Sequence, residues 1–278
     1  MTRDQGPRDQ YDSIEVIVAL TRAVPRTLDR CELTHLARTP IDVRTASAQH
    51  AQYEELLRAL GCHVERIEGA DDLPDSVFVE DTAVVLDEVA VITRPGAASR
   101  RGETAAVERT LSRYRSIRRL TDPATMDGGD VLRVGRRIYV GISSRTNEEG
   151  ARQLAAAATP FGYTVERVRV SGCLHLKSAI TAVNDGTVLC NPAWLNPRAF
   201  TGCEAIAVDP AEPDAGNVLR IGRSLVAART YPRTADSLRV RGFDVHLVDA
   251  SELAKAEAGV TCCSLIVDHR RSATLTGS

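Results

Sequence analysis

Pairs of short, strand-like segments recur along this chain, and their repetition constrains the fold more than any other feature. The first three pairs lie at 77–85 and 89–93, 129–134 and 138–142, and 178–183 and 188–190. A fourth pair, within 216–226, closely repeats the second, with VLRIGRSLVA against VLRVGRRIYV. Short apolar runs on either side of a Gly-containing turn are typical of β-hairpins. The sequence therefore predicts a series of similar hairpins.

Helical patterns alternate with these hairpins. They cover 46–60, 104–114, 147–158, 197–202 and 233–241. Three glycines, Gly61, Gly162 and Gly242, stand between a helical pattern and a further strand-like segment. Glycine is the expected residue at a helix end, because it takes the left-handed backbone conformation without strain. The repeating unit is therefore predicted to be a hairpin, a helix and a third strand.

The two ends of the chain complete this pattern. Residues 263–268 form half of a hairpin, and residues 13–20 at the opposite end are expected to supply its partner. An open solenoid would not need complementary ends, and propeller blades would carry no helix. The predicted fold class is therefore α/β, a propeller of five ββαβ-type units in a closed ring with pseudo-fivefold symmetry. The axis of such a ring collects loops from every unit and is the natural place for a site.

One domain, residues 13–270, accounts for this ring, between a disordered lead-in at 1–12 and a flexible tail at 271–278. The chain carries 35 basic and 37 acidic residues and a formal net charge of -2, so it has no basic field for nucleic acid or an anionic membrane. No apolar run reaches the roughly 18 residues of a membrane-spanning helix. The dense basic stretch, Arg113–Arg119, is interpreted as the solvated end of a helix.

A thiol and an imidazole occupy equivalent places in two of the repeats. The seven cysteines show no paired C-x-x-C spacing, which predicts reduced thiols in the cytoplasm. Cys262, in GVTCCS, precedes the last strand, although a cysteine there is by itself more often a core residue. His175, in GCLHLKS, stands at the entry of its own hairpin. In a ring both side chains would point at the axis, and thiol chemistry needs such a proton shuttle.

Carboxylates at two further hairpin entries extend this set. Asp127 and Asp130 flank two glycines that let a ligand approach closely, although a tight turn with solvated acids gives the same pattern. Glu80 and Asp81 interrupt an apolar run, where ionised carboxylates are costly unless a cation pairs with them. A thiol, an imidazole and several carboxylates suit a flat cation that is electrophilic at carbon. A guanidinium fits.

The same segments resemble the dimethylarginine dimethylaminohydrolase family of the pentein, or amidinotransferase-like, superfamily. The resemblance runs from about residue 14 to residue 268. It rests on LPDSVFVEDTAVV at 73–85, ITRPGAASRR at 92–101, DGGDVL at 127–132, VGISSRTN at 140–147, LHLKS at 174–178 and TCCS at 261–264. Six motifs in order make this a specific signal.

The resemblance implies a reaction and its catalytic residues. Cys262 would attack the guanidinium carbon of an N-methylated arginine, leaving a covalent thiouronium that water hydrolyses to citrulline. His175 would protonate the departing amine and then activate water. Asp127 would orient the histidine. No metal or cofactor is expected, although zinc could bind Cys262 and His175 as an inhibitor.

The resemblance also implies the substrate-binding residues, namely Leu33, Asp75, Phe78, Glu80, Asp81, Arg100, Arg145 and Ala256. Glu80 and Asp81 would face the guanidinium, with Phe78 against its plane. Asp75 would hold the α-ammonium, and two arginines, Arg100 and Arg145, would clamp the α-carboxylate. Leu33 falls in a mobile lid, and Ala256 occupies a position whose backbone contacts the substrate.

Some parts of the chain depart from the family pattern. The lid, residues 26–38, follows it less closely, and residues 191–216, with Trp194, match it poorly. Cys263 is adjacent to Cys262, but successive side chains of an extended segment face opposite sides, so Cys263 is interpreted as core. A small-molecule substrate is the expected partner, and the protein is expected to be a monomer or a homodimer.

Three other functions stay open on sequence grounds. An arginine deiminase would carry an aspartate two residues after the catalytic histidine, where this chain has Lys177. An inactive relative would be expected to lack Cys262, His175 or the carboxylates, and all of these are present. An amidinotransferase would pass the amidino group to an amine instead of water, and the sequence does not separate that outcome from hydrolysis.

Overall fold

The first and last strands of the described chain lie side by side. The computed structural model of the protein describes residues 14–271. Strand β1 (Ile14–Arg22) pairs antiparallel with β15 (Leu265–Arg271) and parallel with β2 (His63–Ile67). The prediction that the two ends share one sheet is confirmed. The lead-in predicted at 1–12 and the tail predicted at 271–278 lie outside the described residues, except for Arg271.

The remaining strands form four more three-stranded sheets of the same pattern. They are β3 (Ala83–Val85), β4 (Val89–Ile92) and β5 (Ser116–Arg119); β6 (Val131–Val134), β7 (Arg137–Ile142) and β8 (Thr164–Arg169); β9 (Ile180–Ala182), β10 (Thr187–Cys190) and β11 (Glu204–Ala207); and β12 (Val218–Ile221), β13 (Ser224–Ala228) and β14 (Asp244–Val248). In every sheet the central strand pairs antiparallel with its hairpin partner and parallel with the strand that follows. The repeated unit is therefore confirmed as a hairpin joined to a third, parallel strand.

Four helices connect a hairpin to its third strand, namely α1 (Val43–Ala59), α2 (Thr104–Leu111), α3 (Glu148–Ala158) and α5 (Pro232–Val240). Two short helices precede a hairpin strand instead, α4 (Leu176–Ala179) before β9 and α6 (Ser251–Ala254) before β15. Side-chain caps stabilise the N-termini of α1 and α3. Asp42 accepts the N–H groups of Arg44 and Thr45, and Asn147 accepts the N–H group of Gly150. Gly162, with a φ of 81°, ends the segment after α3 in the left-handed conformation. Among the described residues, none of the helices could cross a membrane.

Three local predictions were wrong. Residues 79–82, expected within a strand, form a 3-10 turn that places Glu80 and Asp81 before β3. The stretch Arg113–Arg119 is not the end of a helix, because α2 stops at Leu111 and residues 116–119 form β5. The weak helix expected at 197–202 is a single 3-10 turn, Pro197–Ala199. β11 was missed altogether, since Ile206 is the only buried residue in its four positions.

The entries of the repeats lie next to one another. The turn Val79–Thr82 contacts the turns Gly128–Asp130 and Thr261–Cys263, and α4 contacts Gly128–Asp130. Hairpin strands of neighbouring sheets also contact each other, β15 with β3, β6 with β9 and β9 with β12. Each of these turns leads into a buried strand, so packing of the strands fixes where the turns meet. Four segments distant in sequence thereby supply side chains to one place.

Candidate active site

The predicted thiol and imidazole line the same pocket. Cys262 lies in the turn that precedes β15, and His175 is the residue before α4. Both line a small cavity of about 20 Å³. Its walls also include seven other predicted residues, Asp75, Phe78, Asp81, Arg100, Asp127, Arg145 and Ala256. Cys262 and His175, which the sequence predicts to face a common site, thus line the same cavity.

Two predicted residues lie beside this cavity and not among its walls. Leu33 packs against the hydrophobic cluster that contains Phe78, Ala256 and Cys262. Glu80 lines a different cavity of about 320 Å³, where its carboxylate accepts hydrogen bonds from Lys177 Nζ at 2.6 Å and Thr261 Oγ1 at 2.7 Å. Lys177 is thus the cationic partner of Glu80 in this structure, and the pairing of Glu80 with a guanidinium stays a prediction.

A larger cavity of about 480 Å³ adjoins the small pocket and shares Leu174, Glu257 and Ala258 with it. It contains neither Cys262 nor His175 among its walls. Size therefore does not identify the reactive site. The chemistry of the side chains places it in the smaller pocket.

His175 is held by a fully buried carboxylate. His175 Nε2 lies 3.1 Å from Asp127 Oδ2, and the backbone N–H of Gly96 donates to Asp127 Oδ1 at 2.9 Å. The other ring nitrogen, Nδ1, lies 3.9 Å from Asp81 Oδ1. Burial lowers the pKa of His175, but the charge of Asp81 and the hydrogen bond with Asp127 outweigh it and raise the pKa to about 9. The imidazole is therefore protonated at neutral pH and is available as an acid.

Cys262 is buried, and its thiol is protonated at neutral pH. Burial is the main cause of a pKa well above the ordinary value, and the charges of Glu80 and Asp81 raise the pKa further. The Gly259 N–H donates to the sulfur at 3.4 Å and opposes this shift. A thiolate forms here only when more positive charge comes close. A cationic substrate would supply that charge.

Asp81 is stabilised in its ionised form by donors on both of its oxygens. Arg100 Nη1 donates to Asp81 Oδ2 at 2.6 Å, and the Gly129 N–H donates to Oδ1 at 3.0 Å. Burial raises the pKa of Asp81, but His175 and Arg100 outweigh it and lower the pKa to about 2. Asp81 therefore presents a permanent negative charge to the pocket.

The two predicted arginines differ in how fully they are engaged. Arg100 is buried, donates to both oxygens of Glu103 and to the carbonyls of Asp75 and Phe78, and so cross-links the wall behind Asp81. Arg145 donates from Nη2 to Thr34 Oγ1 in the lid at 3.0 Å. These contacts give Arg100 a structural role that sequence reasoning did not predict. The clamping of a carboxylate by the pair stays a prediction.

Sequence reasoning missed Asp130 as a positioning residue. Its carboxylate is fully buried and accepts hydrogen bonds from Ser143 at 2.6 Å and Thr146 at 2.7 Å. It also accepts the backbone N–H of Leu176 at 3.0 Å, which fixes the residue directly after His175. The available signal was the second acid of the DGGD motif together with the hydroxyl residues of VGISSRTN.

The glycine between these acids is required by space. A Cβ on Gly129 would lie 2.7 Å from His175 Nδ1 and 2.9 Å from Asp81 Oδ1. The group that lies against Gly129 is the imidazole of His175, and the close approach of a ligand to these glycines stays a prediction.

Ligand atoms of Asp81, Asp127 and His175 lie within 4.8 Å of one another, a spacing that would also suit a metal ion. In this structure the same atoms are used by the His175–Asp127 and Asp81–Arg100 contacts. These internal partners explain the cluster without a metal. The expected lack of a cofactor and zinc inhibition at Cys262 and His175 stay predictions.

Known proteins share both the sequence and the architecture of this chain. The sequence profile of the family described as "N,N dimethylarginine dimethylhydrolase, eukaryotic" matches residues 37–190. The N(G),N(G)-dimethylarginine dimethylaminohydrolase of Streptomyces coelicolor is 45% identical over 89% of this chain and 95% of its own length. The enzyme of the same name from Pseudomonas aeruginosa is 34% identical over 88% of this chain and 97% of its own length.

A solved structure agrees with the sequence matches. A cysteine-to-serine mutant of the Pseudomonas aeruginosa enzyme in complex with citrulline superimposes with a TM-score of 0.85 and 32% identity, covering 90% of this chain and 99% of that one. The fold and the site thus define an α/β protein of the pentein fold with a cysteine–histidine pair among carboxylates. The chain belongs to the dimethylarginine dimethylaminohydrolase family, whose members are hydrolases.

Proposed function

We propose that this protein hydrolyses N-omega-methylated L-arginine, either asymmetric dimethylarginine or monomethylarginine, to L-citrulline and dimethylamine or methylamine. The observation that carries the proposal is the shared pocket in which Cys262 and His175 lie beside the ionised carboxylate of Asp81. A guanidinium placed there would pair with Asp81 and bring its carbon to the sulfur. The same positive charge would lower the thiol pKa that burial and the carboxylates raise.

The first half of the reaction forms a covalent intermediate. As the cationic substrate binds, the Cys262 thiol loses its proton to bulk water, since His175 is already protonated, and the thiolate sulfur adds to the guanidinium carbon. The bond from that carbon to the methylated nitrogen then breaks, its electron pair stays on nitrogen, and His175 supplies the proton that makes a neutral amine leave. The pKa of about 9 at His175 suits this step, because the ring carries a proton at neutral pH.

The second half returns the enzyme to its starting state. The imidazole, now neutral, accepts a proton from water as the water oxygen adds to the thiouronium carbon. The carbon–sulfur bond breaks with its electron pair on sulfur, and the proton of the added hydroxyl passes to that sulfur as the C=O of citrulline forms. His175 keeps the proton taken from water, so the thiol and the imidazolium are both restored. Asp127 holds His175 in one orientation through both halves.

The rest of the substrate would contact the predicted binding residues. Phe78 and Asp81 would flank the guanidinium, and Asp75 would pair with the α-ammonium. Arg145, through donors beyond its bond to Thr34, would bind the α-carboxylate, with Arg100 beside it. Leu33 and the backbone of Ala256 would close the pocket from the lid side.

An arginine deiminase activity is the nearest alternative. A deiminase would need a carboxylate where this chain has Lys177. Here the ammonium group of Lys177 donates a hydrogen bond to the Glu80 carboxylate. A positive charge at this point disfavours the extra N–H groups of unmethylated arginine, which supports the methylarginine assignment. Transfer of the amidino group to an amine is the remaining alternative from sequence.

Further parts of the proposal concern the whole molecule. We infer that the five sheets stand around an axis as a closed ring with pseudo-fivefold symmetry, which the identical pairing pattern of the sheets and the contacts between neighbouring sheets support. A monomeric or homodimeric state and a place in the cytoplasm stay predictions from the sequence.

A citrulline assay tests the function. Purified protein is incubated separately with asymmetric dimethylarginine, monomethylarginine and arginine, and citrulline and the released amine are quantified together. The proposal predicts equimolar citrulline and methylated amine, with arginine turned over more slowly than both methylated forms. Arginine turned over fastest, or amidino transfer to an added amine acceptor in place of citrulline, would overturn it.

A further inference from the structure

Glu257 holds the lid by an unusual set of hydrogen bonds. Its carboxylate accepts the backbone N–H groups of three successive lid residues, Thr34 at 3.0 Å, His35 at 2.5 Å, and Leu36. One side chain thus satisfies three neighbouring donors of a segment that contains neither a helix nor a strand after Cys31. The bonds span more than 220 residues of sequence.

The backbone at Glu257 is shaped to make these bonds. Its φ is 59°, and among the described residues it is the only one other than glycine with a positive φ. Residues with a side chain rarely adopt this conformation, because Cβ crowds the backbone. Glu257 also lines the small pocket, one residue after Ala256 and five before Cys262. Glu257, in this strained conformation, therefore connects two segments: the loop that contains Cys262 and the lid.

The small size of the pocket means that the contact between Glu257 and the lid bears on the entry of the substrate. A volume of about 20 Å³ is about that of a single water molecule and cannot admit an amino acid. Entry of a substrate therefore requires the pocket walls to move, and these walls include Glu32 of the lid and Glu257, which is hydrogen-bonded to the lid. The lid has other side-chain ties as well. Asp75 accepts the Glu32 N–H, Asp71 accepts the Arg26 N–H, Ser99 donates to Glu32, and Arg145 donates to Thr34. Asp75 and Arg145 are assigned to the substrate in the proposed function, whereas Glu257 is not.

We propose that Glu257 is the latch that holds the lid across the substrate pocket, and that its carboxylate sets how often the pocket opens. It acts as a positioning residue and not as a catalytic one, because it reaches the lid and not the reacting atoms. The inference adds to the proposed function the step that admits the substrate. Hydrogen bonds to an ionised acceptor are roughly twice as strong as neutral ones, so removing the charge alone should loosen the lid.

Amide hydrogen exchange of the purified protein without substrate tests the latch. We compare the wild type with Glu257→Gln, which keeps the length of the side chain and removes its charge. Exchange in a peptide covering 33–37 should speed up by about tenfold or more, the effect of losing one charge-assisted bond. Exchange in the core strand β4 should stay unchanged, which separates a latch from general destabilisation.

Glu252→Gln is the matched control. Glu252 lies five residues earlier and also accepts a backbone N–H, that of Asp42, at 2.9 Å. Within residues 14–271 it forms no hydrogen bond with 33–37. In the Glu252→Gln variant, the peptide covering 33–37 should exchange at the wild-type rate. As a second readout, alkylation of Cys262 by a small neutral reagent such as chloroacetamide should also speed up in Glu257→Gln, with the pH dependence of the rate unchanged in shape.

Several results would overturn the proposal. They are lid exchange in Glu257→Gln equal to that of the wild type, an equal increase in β4, or faster lid exchange with no faster alkylation of Cys262. None of these readouts uses a substrate. A failure to form citrulline would therefore count against the proposed function and leave the latch as it stands.

Discussion

His175 and Asp127 are joined by a contact of 3.1 Å between Nε2 and Oδ2, in a place where Asp127 is fully buried. This contact turns Nε2 to the carboxylate. Nδ1 lies 3.9 Å from Asp81, which lines the pocket, and we therefore propose that Nδ1 exchanges protons with the substrate. The two ring nitrogens of His175 thus have different roles: Nε2 contacts the orienting carboxylate, and Nδ1 handles the proton of the reaction.

Asp127→Asn should remove the negative charge that orients the His175 ring and helps to keep it protonated. We expect turnover to fall by about 100- to 10,000-fold, the usual contribution of a positioned acid–base group, with little change in the content of secondary structure. Steady-state assays of citrulline formation and circular dichroism measure the two effects. Asp122→Asn is the control, because its carboxylate is exposed and pairs with Arg94 away from the pocket. Equal activity of the two variants would contradict the role of Asp127.

The raised pKa of His175 should make the stability of the protein depend on pH. The pKa rises from its ordinary value of 6.5 to about 9 on folding, so the folded state holds the proton more tightly than the unfolded state. The stabilisation is fully present below pH 6.5 and is lost as pH rises through about 9. It amounts to about 3 kcal/mol at most, on the scale of 1.4 kcal/mol for each pKa unit.

Urea unfolding of the wild type and of His175→Asn between pH 6 and pH 10 measures this effect. The difference in the free energy of unfolding between the two proteins should shrink across that range. A difference that stays constant, or one that grows towards high pH, would show that the ring is not held as an imidazolium.

Gly129→Ala should damage the site without unfolding the protein. The added Cβ would lie 2.7 Å from His175 Nδ1, so the imidazole must move away from Asp127 or Asp81. We expect a loss of turnover of at least about 100-fold, the lower part of the range for acid–base catalysis. Gly186→Ala is the control, because a Cβ there meets nothing within 4 Å. Normal activity of Gly129→Ala would contradict the packing of the site.

The two adjacent cysteines should respond differently to substitution. Cys263 is 2% exposed and belongs to the hydrophobic cluster, and burial raises its pKa to about 12, so it is a core residue. Cys263→Ala should retain turnover within a few-fold and lower the free energy of unfolding by about 1 kcal/mol, typical for a small core truncation. Citrulline assays and urea unfolding measure the two quantities. Turnover lost in Cys263→Ala would indicate that the wrong sulfur has been assigned.

The repeat and the site could be read from the sequence because both depend on local patterns. The hairpin turns and the glycines at helix ends indicated the boundaries of the repeated units. The unpaired strand-like segment at 263–268 predicted a partner strand at the start of the chain, and that pairing is present. Equivalent places in two repeats paired Cys262 with His175. Each of these inferences uses only the order of apolar, polar and turn residues along a few positions.

Other features depend on which side chains meet in three dimensions. Residues 79–82 stand within a run of apolar residues typical of a strand, and only the hydrogen bonding of the folded chain shows a 3-10 turn. The pairing of Lys177 with Glu80 and of Arg100 with Glu103 follows from packing among distant turns. β5 and β11 were not predicted because most of their residues are exposed and polar or small, and their edge positions need little apolar sequence. The carboxylate of Glu257 gave no signal at all.

The most direct test is peptide mass spectrometry of the protein quenched in acid during turnover of asymmetric dimethylarginine. The account predicts a transient adduct on the peptide that contains Cys262, with the mass of the substrate less dimethylamine, which disappears as citrulline forms. The same adduct should form in Cys263→Ala and be missing in Cys262→Ser. Citrulline formed at the normal rate by Cys262→Ser, or an adduct on any other residue, would contradict the account.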